Sequence, residues 1–254
     1  MLSQARIVAA ADDGRVGIRE LRSSPPLTLR RVGPHEIAIV GSAAWPIGGD
    51  EVALDIVVGR GAALTVSSVA ASLAYPSPTG SASTMTIRVE VEAGGSFRWR
   101  PEPTVLLARC DHRVAASIRI DDGAALEWRE EVRLGRAGEP TGSLRQRIVI
   151  DRGGRPLVRS ELAVGPVWPA RSTPAVLGPG CVALATAYDV GSAAGPPRAG
   201  VGGGATWAEN PLGPDATSWS VVGDSMNAVR STLTALVGGH RGGVRPSKPP
   251  VVRH

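Results

Sequence analysis

A chain of 254 residues with 43% hydrophobic and 20% charged positions can bury a core without disulfide or metal staples. Its formal charge of +5 is concentrated in a final stretch holding Arg241, Arg245, Lys248 and Arg253 with no acid, so the rest of the chain is close to balanced. That balance, with only 4% aromatics and no aromatic-rich basic strand, excludes a groove that tracks phosphates and stacks bases.

The many turn formers, 32 Gly and 21 Pro, fall into a pattern along the chain. The opening "VAAADDGRVGIRELRS" reads as a first hairpin. Four further copies follow: "VVGRGAALTV" with Gly61, "VEAGGSFRWR" with Gly94, "IDDGAALEWR" with Gly123 and "IDRGGRPLVR" with Gly154, at spacings of 33, 29 and 31 residues. Apolar residues alternate on both sides of each glycine, as in Val89 and Val91 before and Phe97 and Trp99 after. This is the period of half-buried strands joined at a tight turn. "VLGPGCVALATAYDV" resembles a sixth copy. Repeats of about 30 residues predict a mainly β protein of stacked β-hairpins, either an irregular β-solenoid of β-helix type or a sandwich.

Residues 191–218, rich in Gly, Ala and Pro, predict a long loop. A C-terminal helix is expected over about 225–237, capped by Ser225 or Asp224 and ended by Gly238 and Gly239, with Met226, Val229, Leu233 and Leu236 on one face. Residues 1–239 then form a single β-rich domain carrying one or two helices near its end, and 240–254 a flexible basic tail.

Catalytic chemistry is sparse. Ser225 lies after Gly223 and Asp224, but only His240 and His254 follow it, so a helix cap is the simpler role. "GVGGGATW" lacks the lysine of a phosphate loop. In "CDH", strand alternation lets Cys110 and His112 share a face, which is too few ligands for a stable site and reads as a surface histidine beside a structural cysteine. Glu127, Glu130 and Glu131 of "LEWREEV" read as a solvated strand edge, or alternatively as carboxylates of a cytoplasmic β-repeat hydrolase using the 127–139 segment. Cys110 and Cys181 sit outside any CxxC pair and fit free thiols in a reducing compartment. The N-terminal apolar run is broken by Asp12 and Asp13 and no segment approaches the ~18 apolar residues of a span, so a cytoplasmic protein is expected.

Three blocks in order, "WPIGGDEVALDIVVGRGAALTVSS", "FRWRPEPTVLLARCDHR" and "GAALEWREEVRLGRAGEPTGSLRQRIVI", resemble urease accessory protein D, the UreD/UreH family, over about residues 30–165. The resemblance rests on the Gly48-Gly49-Asp50 turn, the Trp99-x-Pro-Glu-Pro segment, and Leu134-Gly135-Arg136 followed by Gly138-Glu139 and Arg145-Gln146-Arg147. Two features depart from the family pattern. Val69 and Leu73 stand where a Gln and a Lys are usual, and the acidic-basic pair after the last repeat is rearranged as Arg159-Ser160-Glu161.

The resemblance implies a helix-poor β fold without catalytic activity. It implies a scaffold between apo-urease, UreF and the GTPase UreG that helps carry nickel to the urease site, with no cofactor permanently bound. On that reading Asp50, Glu102, Glu127, Glu130, Glu139 and Glu161, with Cys110 and His112, are the expected transient nickel path, each too weak alone to trap the ion. Asp50 at its turn is placed either to cap backbone donors or to line a polar channel, and the flanking prolines fix the direction of Glu102. Trp99 and Trp128 occupy equivalent repeat positions and belong in the core. Trp168 and Trp207 are expected interface anchors, and the apolar helix face of Met226, Val229, Leu233 and Leu236 a docking element for UreF.

Overall fold

The computed structural model describes residues 1–12, 15–165 and 180–242. Within them the chain forms two β-sheets and one helix, α1 (Met226–Gly242). The first sheet has seven strands, in the spatial order β14 (Arg155–Val164), β13 (Ser143–Arg152), β11 (Asp111–Ile120), β8 (Ser83–Val91), β5 (Glu51–Val58), β1 (Leu2–Asp12) and β2 (Arg15–Ser23). The second has eleven: β16 (Arg198–Gly202), β17 (Ala205–Gly213), β18 (Ala216–Gly223), β15 (Ala183–Val190), β12 (Ala125–Leu134), β9 (Ser96–Arg100), β6 (Ala63–Ser68), β4 (Glu36–Gly41) and β3 (Leu27–Gly33), with β10 (Thr104–Leu106) beside β12 and β7 (Ser72–Ala74) beside β10.

The solenoid reading holds, with a refinement. Around Gly61, Gly94 and Gly123 the chain passes from a strand of the first sheet to a strand of the second, so these turns are arches between sheets. Of the copies within the described residues only β1 with β2 and β13 with β14 are antiparallel hairpins, and the sixth, "VLGPGCVALATAYDV", lies partly outside those residues. An arch and a hairpin need the same alternation and the same turn. The three arch glycines have φ of +67°, +72° and +78°, which a side chain would strain. What separates the two is which faces oppose each other, and that depends on the neighbouring coils.

Those neighbours are parallel and in register. Ile7, Ile56, Val89, Ile118 and Ile150 follow one another across the first sheet, and Leu64, Phe97 and Leu126, then Val66, Trp99 and Trp128, across the second. All are buried and together they fill the space between the sheets. The ladder spacing of about 4.8 Å sets one ring over the next, and the Trp99 and Trp128 centroids stack at 5.0 Å.

The 191–218 segment is not a long loop, because it carries β16, β17 and the start of β18. Its small residues suit a sheet edge: a side chain at Gly200 would come within 2.7 Å of the Trp207 ring, and Pro211 sits where the register shifts. Helix α1 starts as expected, the Ser225 hydroxyl accepting the Ala228 N–H at 3.2 Å. It continues through Gly238 and Gly239 to Gly242, so residues 240–242 of the expected tail are helical, and 243–254 lie outside the described residues. Packing keeps the glycines in the helix: Val229, Leu233, Leu236 and Val237 lie on Ala183, Ala185, Ala187, Trp219 and Val221 of the outer face of the second sheet.

Leu126 is fully buried in the middle of a ladder. Leu126→Ala is expected to cost about 3 kcal/mol, read as a lowered midpoint of denaturant unfolding; a loss under about 1 kcal/mol would mean the ladder interior is loosely packed.

Candidate functional site

The stacking fails at one place in the second sheet. β6 pairs with β9 and β7 with β10, but Val69-Ala70-Ala71 separates the first two strands of one coil and Pro101-Glu102-Pro103 those of the next. On β12 the register therefore jumps from Trp128 opposite Trp99 to Val132 opposite Thr104, and Arg129, Glu130 and Glu131 have no register partner on that side. Prolines cannot donate to a ladder, which keeps this gap open. Side-chain bonds bridge it instead: the Glu102 N–H donates to Ser68 Oγ at 2.8 Å, and the Ser68 hydroxyl donates to the Ala70 carbonyl at 3.2 Å.

Behind the gap lies a cavity of about 50 Å³ between the sheets, with Ser68, Ser72, Trp99, Glu102, His112 and Glu130 in its wall. Its volume holds a few water molecules. An apolar groove of about 230 Å³ adjoins it, sharing Ile39, Trp45, Ser68 and Ser72 and adding Val69, Leu73 and Tyr75. Val69 and Leu73, where the resemblance leads one to expect a Gln and a Lys, thus line the groove.

The cavity holds two titratable groups with opposite shifts. Glu130 accepts a hydrogen bond from Trp99 Nε1 at 3.0 Å. Burial pushes its pKa up to about 7, with the Trp99 donor pulling the other way. Across the gap between the sheets, His112 is 3% exposed, its Nδ1 2.9 Å from Ser83 Oγ. Burial pushes its pKa down to about 4, so the imidazole is neutral near pH 7. The expected surface histidine is an interior one, because β11 begins at Asp111 and turns residue 112 inward while Asp111 pairs with Arg113 outside at 2.9 Å.

The glutamates of β12 are not a solvated edge. Residue alternation sends Glu130 to the cavity and Glu127 and Glu131 to the outer face, where further groups cover them. Glu127 is 1% exposed and is held by Arg100 through two bonds of 2.6 and 2.8 Å and by Arg129 at 2.6 Å. Glu131 accepts from Arg230 of α1 at 2.8 Å, and the same guanidinium reaches Glu102, also at 2.8 Å. Burying three or more charges is tolerable only with such mutual pairing. Because Glu127 and Glu130 face opposite sides of one strand, they do not form the facing carboxylate pair of a glycoside hydrolase.

The remaining expected residues are dispersed. Asp50 is 5% exposed and accepts from the Met1 ammonium at 2.5 Å and the Ile47 N–H at 3.0 Å, so it caps its turn. Glu139 accepts the Ala108 N–H at 3.2 Å. Glu161 is exposed on edge strand β14, 3.7 Å from Arg145. Cys110 is buried with Leu106, Leu144 and Val164, and burial raises its thiol to about 11, away from thiolate chemistry at neutral pH. Trp207 belongs to β17, packs toward α1 and has the Arg198 guanidinium 6.0 Å from its ring centre. The helix face of Met226, Val229, Leu233 and Leu236 is turned into its own sheet, so it is not a free docking face. Trp168 lies outside the described residues.

The structure thus brings Glu102, His112 and Glu130 to one cavity and leaves the other five expected path residues elsewhere. Among the described residues no three His, Cys, Asp or Glu side chains group closely enough to hold a metal firmly. The expected path omitted Trp99, Ser83 and Arg230; Arg230 carried a local signal, a cation directly after Val229 of the apolar stripe. Among the described residues no helix is long and apolar enough to cross a membrane.

Comparison with known proteins is consistent across the chain. Residues 2–253 match the family described as UreD urease accessory protein. The chain is 40% identical to urease accessory protein UreD 1 of Saccharopolyspora erythraea, over 90% of this chain and 91% of that protein. It is 35% identical to urease accessory protein UreD of a Parafrankia species, covering 89% of this chain and 84% of the relative, and 33% identical to its counterpart in Frankia alni, covering 90% and 89%.

The raised Glu130 fixes a sign for pH dependence. The folded state holds this proton up to about pH 7 whereas the unfolded chain releases it near 4.5, so its contribution to stability falls as pH rises between those values. In Glu130→Gln that contribution is gone. The stability of the variant relative to the parent is therefore expected to rise from pH 4.5 to 7.5, measured by denaturant unfolding at each pH. A difference that is flat in pH would place Glu130 in ordinary solvent.

Proposed function

Because the chain belongs to the UreD urease accessory protein family, we propose that it is a non-catalytic maturation factor that binds apo-urease together with UreF and the GTPase UreG, and that nickel reaches urease by way of its inter-sheet cavity. Nickel here is cargo. No cofactor stays bound, and the setting is cytoplasmic. The observation that carries this reading is the convergence of Glu102, His112 and Glu130 behind the break in the ladder of the second sheet.

The physical chemistry of that cavity suits passage better than storage. Carboxylate and imidazole are both ordinary ligands for a divalent first-row ion. His112 is already neutral, so a metal need not displace a proton from it. Glu130 exchanges its proton near neutrality, so an arriving ion displaces that proton and a departing ion is replaced by one. Few ligands, each exchangeable, give weak binding and fast release. The facing-carboxylate geometry that hydrolysis requires is not formed by Glu127 and Glu130, which disfavours the hydrolase alternative.

In a urease-producing host, replacing this chain by its Glu130→Gln variant is expected to lower the nickel content and activity of purified urease roughly tenfold or more, the scale on which loss of a group that directs a metal acts. Glu161→Gln, on the exposed edge, is expected to leave both unchanged. Retention of the variant in its complex with UreF would be checked by co-purification. Fully loaded, active urease with Glu130→Gln, or with the gene deleted, would overturn the reading.

A further inference from the structure

We infer that Arg230 is a positioning residue that couples the C-terminal helix to the cavity, by holding Glu102 away from Glu130 through a shared guanidinium. For its consequence the inference rests on the nickel reading of the cavity; the contact itself is independent of it. Arg230 Nε donates to Glu131 Oε2 and Nη2 to Glu102 Oε2, both at 2.8 Å. Glu102 and Glu130 are the two carboxylates in the cavity wall, so the helix engages one of them and leaves the other.

The two legs of this bridge are unequal. Glu131 is 8% exposed, whereas the Glu102 and Arg230 side chains are each 39% exposed. Leaving Glu131 without its cation would strand a buried charge. The Glu102 leg is close to a surface ion pair and costs little to break. Helix motion is unnecessary, because Val229 and Leu233 are fully buried and pin the base of Arg230 while its tip reaches solvent. A carboxylate on a protein docked beside α1 can therefore take the Glu102 leg and leave the Glu131 leg in place. The backbone of Glu102 stays fixed by Ser68 and by its two prolines. Only its side chain is released, and the cavity gains a second oxygen donor next to Glu130. Partner docking on the outer face would in this way be sensed inside.

The test is Ni²⁺ affinity of the full chain, measured against a competing chromophoric chelator. Glu131→Gln removes the buried charge, so it is used as the background for Arg230→Met and keeps that variant foldable. Arg230→Met in this background is expected to bind Ni²⁺ about fivefold more tightly, the loss of one competing surface ion pair. Adding Glu102→Gln should abolish the gain, and Arg230→Lys should restore the parent affinity. A purely structural arginine would give no gain. Unchanged or weaker binding in Arg230→Met, with Glu130→Gln still reducing affinity, overturns this inference and leaves the nickel reading standing. Binding insensitive to Glu130→Gln as well overturns the nickel reading itself.

Discussion

In-register parallel stacking of successive coils is the constraint on which the rest depends. Once Ile56, Val89 and Ile118 occupy one ladder and Leu64, Phe97 and Leu126 the facing one, each coil fixes the position of the next to within a strand spacing. The interior then has no freedom to accommodate a polar group except where the ladder is broken. The break is written into the chain twice, as Val69-Ala70-Ala71 and as Pro101-Glu102-Pro103, and the two fall side by side because the coils are in register. Glu130 and His112 sit behind it, which is why their burial is tolerated and why their protonation is so displaced.

Strand β12 separates structure from function across its own thickness. Its inner face carries Trp128, stacked on Trp99, and then Glu130 in the cavity. Its outer face carries Glu127 under Arg100 and Arg129, and Glu131 under Arg230. The outer pairings neutralise a row of buried carboxylates and fasten the helix to the sheet, so they are structural. The inner carboxylate accepts a hydrogen bond from Trp99 but has no ion pair of its own among those described, and so remains able to exchange a proton.

Much of the fold was legible because the repeat is local. A glycine of positive φ between two alternating runs reads directly from residues such as those around Gly94. Whether those runs pair with each other or with the next coil is a long-range matter, and so the arches at Gly61, Gly94 and Gly123 read as hairpins. The strands within 191–218 were hidden by composition, since Gly, Ala and Pro serve an edge strand as readily as a loop. For the site, residue types were legible and faces were not: Glu127 and Glu130 look equivalent in "LEWREEV", and only the register of β12 sends one to the arginines and the other to the cavity. The helix face of Val229 and Leu233 likewise reads the same whether it docks on a partner or on its own sheet.

The proposed function turns on whether the ladder break admits nickel to the solenoid interior. Anomalous scattering at the nickel absorption edge, from crystals of the chain soaked in Ni²⁺, measures this. A nickel peak is expected between the two sheets, within coordinating distance of Glu130 and next to His112 or Glu102. Nickel found only on the outer surface or on the histidines at 240 and 254, with the inter-sheet cavity empty, would contradict it.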